Sequence, residues 1–162
     1  MAFQNIRGGE DGLTFIEILI VVAILGILFV MVFVALNSAR KKSQDVKVRN
    51  DVRQMRLLAE EVFDNAGASY LNWKTNPLVS VQVATLVSDL VAAHGTPGAA
   101  QDDYVSLIDS RESEFCVSGK LVVPNNGDYW CTDASGRFFA VDIHCAEPAT
   151  AAEPLICPGS TP

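Results

Sequence analysis

LTFIEILIVVAILGILFVMVFVAL, residues 13–36, holds one ionisable side chain, Glu17, in 24 positions. As a helix it would be about 36 Å long at 1.5 Å per residue, enough to cross a hydrocarbon layer of roughly 30 Å. It is too long for the apolar region of a secretory signal peptide, and no small-x-small cleavage site follows it. The stretch is predicted to span a membrane.

On its C-terminal side the chain continues NSARKKSQDVKVRNDVRQMRLLAEEVFDNAG, with no Pro and no Gly before Gly67. Val48, Val52, Met55, Ala59 and Val62 recur at the spacing of one helical face, with Leu58 beside it and charges on the other faces. Asn65 and Gly67 supply a stop. One helix is therefore predicted from about Leu13 to Ala66, roughly 80 Å long. Its first half is apolar all round. Its second half, residues 37–66, is amphipathic and needs a downstream domain to pack against.

The charges follow the same division. The chain of 162 residues carries 12 Lys plus Arg against 19 Asp plus Glu, a net −7 that disfavours a general nucleic-acid binder. Residues 67–162 carry Lys74, Arg111, Lys120 and Arg137 against eleven acids, so the acidity belongs to the C-terminal part. A 49% hydrophobic content is ordinary for a soluble protein, whereas a mean hydropathy of +0.24 is high, because the apolar residues are concentrated at the front.

Residues 67–78 read as a loop, and a short helix is predicted over about residues 82–93, ended by Gly95 and Pro97, although Val79, Val81 and Val83 also alternate like a strand. From Tyr104 the pattern turns to β: YVSLID, SEFCVSGKLVV, DYWCTD and GRFFAVDIH are short, rich in aromatic and branched residues, and separated by turn signals. Pro124-Asn125-Asn126-Gly127 and Ala134-Ser135-Gly136 supply two of the turns. Three or four antiparallel strands would expose an apolar face for the amphipathic half-helix to cover. The fold class is α+β: a long N-terminal α-helix packed on a small antiparallel β-sheet.

Cys116, Cys131, Cys145 and Cys157 all lie in this domain. They form no C-x-x-C pair, which argues against a zinc ribbon or thioredoxin-type site. An even count beyond a membrane span predicts two disulfides and an oxidising compartment, the alternative being four buried thiols. Cys116 and Cys131 flank the residue 124–127 turn, so Cys116–Cys131 with Cys145–Cys157 is the expected pairing. The second bond would staple the Pro/Ala/Thr-rich tail to the last strand.

Gly12-Leu13-Thr14-Phe15-Ile16-Glu17, followed at once by the apolar helix, resembles the processing site of type IV pilins and type II secretion pseudopilins. The resemblance covers about residues 12–34. It implies a hydrophilic leader (1–12), cleavage after Gly12 by a membrane peptidase, and N-methylation of Leu13. The leader would be followed by a membrane and filament-core half-helix (13–36), an amphipathic half (37–66) and a globular head (67–162). Thr14, Phe15, Glu17 and Gly26 become filament-assembly residues. The implied role is a structural subunit of an extracellular filament, with a minor pilin or pseudopilin as the alternative within the family. Outside it, the alternative is a single-span protein whose head binds a ligand or acts as an enzyme. Other copies of the chain, the prepilin peptidase and methyltransferase, the assembly machinery and the inner membrane are the implied partners; no catalytic residue, cofactor, metal or nucleic acid is expected. Phe115-Cys116 and Tyr129-Trp130-Cys131-Thr132-Asp133 also resemble the paired cysteine strands of some pilins.

The chain departs from the family pattern in several places. Leu13 stands where the family favours Phe or Met, and the leader has Arg7 alone beside Glu10 and Asp11. Val34 replaces a Pro that many major pilins carry about eight residues after this Gly. Arg40, Lys41 and Lys42 follow the span, so counting bases alone would leave the head in the cytoplasm. The cysteines and the processing site point to export instead.

An acid at the membrane needs a partner. An amine created at Leu13 by cleavage would share a helical face with Glu17, either within one chain or between neighbours. The alternative, against which the Gly-x-Thr-x-x-Glu context argues, is a carboxylate reaching out to the headgroups. Elsewhere, His94 and His144 have no ligand spacing, and no nucleophile elbow or phosphate loop occurs. Asp128, Asp133 and Asp142 are candidates for a calcium ion, or simply solvated acids. Tyr70, Trp73, Tyr129 and Trp130 read as core or subunit-contact residues.

Overall fold

A computed structural model describes residues 12–94, 104–108, 111–123, 127–146 and 155–158. Outside them lie the leader up to Asp11, the Gly95 and Pro97 helix stop, Asp109 of the first predicted strand, Pro124 to Asn126 of the turn and most of the tail. The elements are α1 (Phe15–Asn65), a 3-10 turn (Trp73–Thr75), α2 (Ser80–Ala93), β1 (Val105–Ile108), β2 (Cys116–Lys120), β3 (Tyr129–Asp133) and β4 (Phe138–Val141). The fold is α+β, a long apolar N-terminal helix with a small antiparallel sheet. The chain divides after Ala39 into two compact units.

In the first unit α1 runs unbroken through Gly26, and every described residue is exposed. An 18-residue window of mean hydropathy 3.4 has none of its residues buried. Among the described residues α1 is the one helix long and apolar enough to cross a membrane.

In the second unit, which begins at Arg40, the predicted stripe is the core: Val48, Val52, Met55, Ala59 and Val62 are all buried. Gly67 (φ 79°) ends the helix in a left-handed conformation, and the Ala68 N–H donates to the Phe63 carbonyl at 2.9 Å. Together these form a Schellman-type stop where Asn65 and Gly67 predict one. Helix α2 starts two residues earlier than its predicted start at residue 82 and buries Val83, Leu86, Val87, Leu90 and Ala93. Five positions on one helical face outweigh the strand-like alternation at residues 79–83.

The four strands form a meander, β1-β2-β3-β4, antiparallel throughout. Val117 and Gly119 of β2 turn toward the helices, and Val117 joins the main core with Trp73, Phe115 and the α1 stripe. A Cβ on Gly119 would lie 3.0 Å from Val52 and 3.1 Å from Val48, so glycine sets how closely α1 approaches the sheet. On its opposite face, Cys116, Cys131 and Val141 form a second cluster with Cys145, Leu155 and Cys157.

The disulfides correct the expected pairing. Cys116 is joined to Cys145 and Cys131 to Cys157, with Cα–Cα distances of 5.9 and 6.0 Å, and no cysteine is free. The register explains this. Cys116 lies opposite Asp133 and Cys131 opposite Ser118, so the two are diagonal neighbours on one face rather than a facing pair. Their sulfurs stand 3.6 Å apart, and each is bonded instead to a residue C-terminal to β4.

Asp51, on the buried side of α1, has one carboxylate oxygen without a hydrogen-bond partner. Burial holds its pKa above the ordinary 3.8, nearby Lys47 opposes that rise, and Asp89 adds to it. A raised folded-state pKa means that the native state binds the proton more tightly than the unfolded chain. Stability is therefore highest below about the ordinary value and falls as pH rises through the raised one.

Two outcomes follow for the full chain in detergent. Proteolysis without reduction should release peptides linking Cys116 to Cys145 and Cys131 to Cys157 by mass spectrometry; a Cys116–Cys131 peptide would contradict the register. Asp51→Asn should raise the thermal midpoint at pH 7, and the gain should shrink as pH approaches 4, read by circular dichroism melts.

Candidate processing and assembly segment

The segment singled out by sequence begins just before α1. Gly12, Leu13 and Thr14 are exposed and not helical. The Thr14 hydroxyl accepts the Glu17 N–H at 3.3 Å, and the Thr14 carbonyl accepts the N–H groups of Glu17 and Ile18 at 3.1 and 3.3 Å. Thr14 is thus the N-cap of α1, and Thr14-x-x-Glu17 has the spacing of a capping box. Glu17 also places an acid in the first turn, where the helix dipole favours negative charge.

Glu17 is exposed and forms no ion pair among the described residues. Leu13 and Phe15 beside it are 69% and 83% exposed. A Cβ built at Gly26 would meet no neighbouring atom within 4 Å among the described residues, so none of them requires glycine there. Gly12, Leu13, Thr14, Phe15 and Glu17 are brought together at one helix end, with Gly26 further along the same helix.

The head contains two arrangements that sequence reading missed. Arg49, Arg53 and Arg56 lie over aromatic rings, 4.6 Å from Trp130 for the first and 5.6 and 5.7 Å from Phe138 for the others. Arg56 donates to Glu60 at 3.2 Å. Their spacing of four and three residues on one helix was the available signal.

The second arrangement holds the tail. Buried Asp133 accepts the Cys157 N–H at 3.0 Å and the Ser135 N–H at 2.9 Å, and also bonds the Ser135 hydroxyl. Glu114 accepts the Leu155 N–H and an Arg111 N–H, both at 2.8 Å. Asp133 is therefore committed to the tail, and it forms no metal-ligating group with Asp128 and Asp142 among the described residues.

The remaining aromatics and histidines singled out by sequence make contacts within the second unit. Tyr70 and Trp73 are buried, and the Tyr70 hydroxyl donates to Glu60 at 2.8 Å. Burial first, then the bond to Glu60, pushes the phenol well above its usual pKa. Tyr129 and Trp130 are half-buried. His94 stacks on Tyr104 and His144 packs near Tyr129.

Residues 7–33 match the family model of the prokaryotic N-terminal methylation motif. With the apolar helix and the disulfide-bonded head, this match supports assignment of the chain as a type IV pilin-like prepilin, a class that includes pilins and pseudopilins. The motif implies processing by prepilin peptidase and association with pilus or secretion machinery, and it fits a membrane-anchored precursor. No curated protein and no solved structure was found to match the chain.

Proposed function

We propose that the chain is a structural subunit of a type IV pilus. It is made as a single-pass precursor in the cytoplasmic membrane with its head outside the cytoplasm, cleaved after Gly12, methylated at Leu13 and polymerised through α1. The observation that carries this reading is the coincidence of the methylation motif with an apolar half-helix that is exposed among the described residues. Lipid covers such a surface in the precursor, and equivalent helices of other copies cover it in a filament. The two disulfides suit an exported head. The role is structural rather than enzymatic.

In this reading Glu17 is the register device. A carboxylate among apolar side chains costs several kcal/mol unless it meets a cation, and cleavage creates one at the new terminus four residues away. Phe15 and Gly26 supply contact surface between helices, and glycine there lets a neighbouring backbone come close.

Mass spectrometry of membrane and sheared-surface fractions should find a chain that begins at methylated Leu13. An intact Met1 terminus in both fractions defeats the proposal, and scarcity in sheared fibres favours a minor pilin or pseudopilin. Glu17→Ala should be cleaved yet yield few filaments by electron microscopy; normal filaments would remove Glu17 from assembly.

A further inference from the structure

The apolar stretch and the helix do not start together. Leu13 is a strong helix former, and among the described residues a Cβ at Gly12 would meet nothing within 4 Å. Even so, the first backbone bonds of α1 go to the Thr14 carbonyl. The Thr14 hydroxyl takes the Glu17 N–H at 3.3 Å, satisfying one of the N–H groups that a helix start leaves without a partner. The cap sets the boundary.

That boundary matters for the peptide between Gly12 and Leu13. If the helix extended through it, the Ile16 N–H would bond the Gly12 carbonyl and close a turn over this peptide. A carbonyl engaged in its own helix and flanked by the next turn is poorly placed for attack. With Thr14 as cap, the Gly12 carbonyl has no intrahelical donor, and the three residues from Gly12 to Thr14 stay outside α1.

We infer that Thr14 is a positioning residue for cleavage between Gly12 and Leu13, its hydroxyl capping α1 so that the scissile peptide stays outside the helix. This rests on the processing reading given above. The reaction is hydrolysis: the oxygen of water bonds to the Gly12 carbonyl carbon, the bond to the Leu13 nitrogen breaks, and a proton passes to the new amine. Thr14 takes no part in these bonds. It governs the fraction of chains whose scissile peptide is open to attack.

The test is a pulse-chase of the full chain in cells that contain the prepilin peptidase, comparing initial cleavage rates. Thr14→Val keeps the side-chain shape without the hydroxyl, Thr14→Ala removes both, and Thr14→Ser and Thr14→Asn restore a capping oxygen. Cleavage should slow about threefold to tenfold in the Val and Ala variants and stay within about twofold of wild type in the Ser and Asn variants. Rates are compared for chains whose head disulfides have formed, read on non-reducing gels. Equal rates in all variants overturn the inference. Rescue by Ser but not by Asn also overturns it, because the peptidase would then be reading the hydroxyl itself. An uncut wild-type chain instead defeats the underlying processing reading, a separate and recognisable failure.

Discussion

Among the described residues, the apolar side chains from Leu13 to Leu36 are exposed along their whole length. Phe29, Met31, Phe33 and Val34 are each at least 64% exposed, and their neighbours are little different. At roughly 25 cal/mol per Å² of apolar surface, so long a bare stretch cannot persist in water. Lipid or other helices must supply what the chain does not. The second unit accordingly draws its buried clusters from residues 48–157 alone, with no contribution from the apolar stretch.

The head achieves this with four strands of four or five residues each. A sheet that small leaves two faces to protect, and the chain treats them differently. One face meets an ordinary core of aliphatic and aromatic side chains, with Gly119 allowing Val48 and Val52 to come close. The other is covered by a segment with few apolar residues, Leu155 among them, so crosslinks and carboxylates that hold its backbone stand in for bulk. Cys145 and Cys157 are bonded to adjacent strands, and Asp133 and Glu114 accept backbone N–H groups of the tail. Small domains with little core rely on such links because each one restricts the unfolded chain.

Legibility from sequence tracks the range of the interaction concerned. The α1 stripe, its stop at Gly67 and the four strands depend on local periodicity and turn chemistry, and the residues state them openly. The start of α1 is also local, since Thr14-x-x-Glu17 is a readable cap, although the apolar run begins two residues before the helix, at Leu13. The disulfide pairing depends on strand register. A shift of two residues places Ser118, not Cys116, opposite Cys131, and no local signal fixes that shift. The Asp133 clasp and the arginines over Trp130 and Phe138 belong to the same category, because contacts between distant segments appear only once the sheet is assembled.

Glu17 joins the two ends of this account. Its backbone N–H completes the cap made by Thr14, while its carboxylate has no cation among the described residues. The first fact fixes where the helix begins; the second leaves the carboxylate there without an ion-pair partner among the described residues. Removal of a leader at Gly12 would place an ammonium group at Leu13, two residues before α1 begins and four before Glu17, where it could attract the carboxylate. A cut two residues later would remove the cap, and a cut several residues earlier would separate the amine from the carboxylate. On the proposed reading a cut after Gly12 meets both requirements, so the boundary of the helix, the cleavage and the place of the acid would share one physical solution.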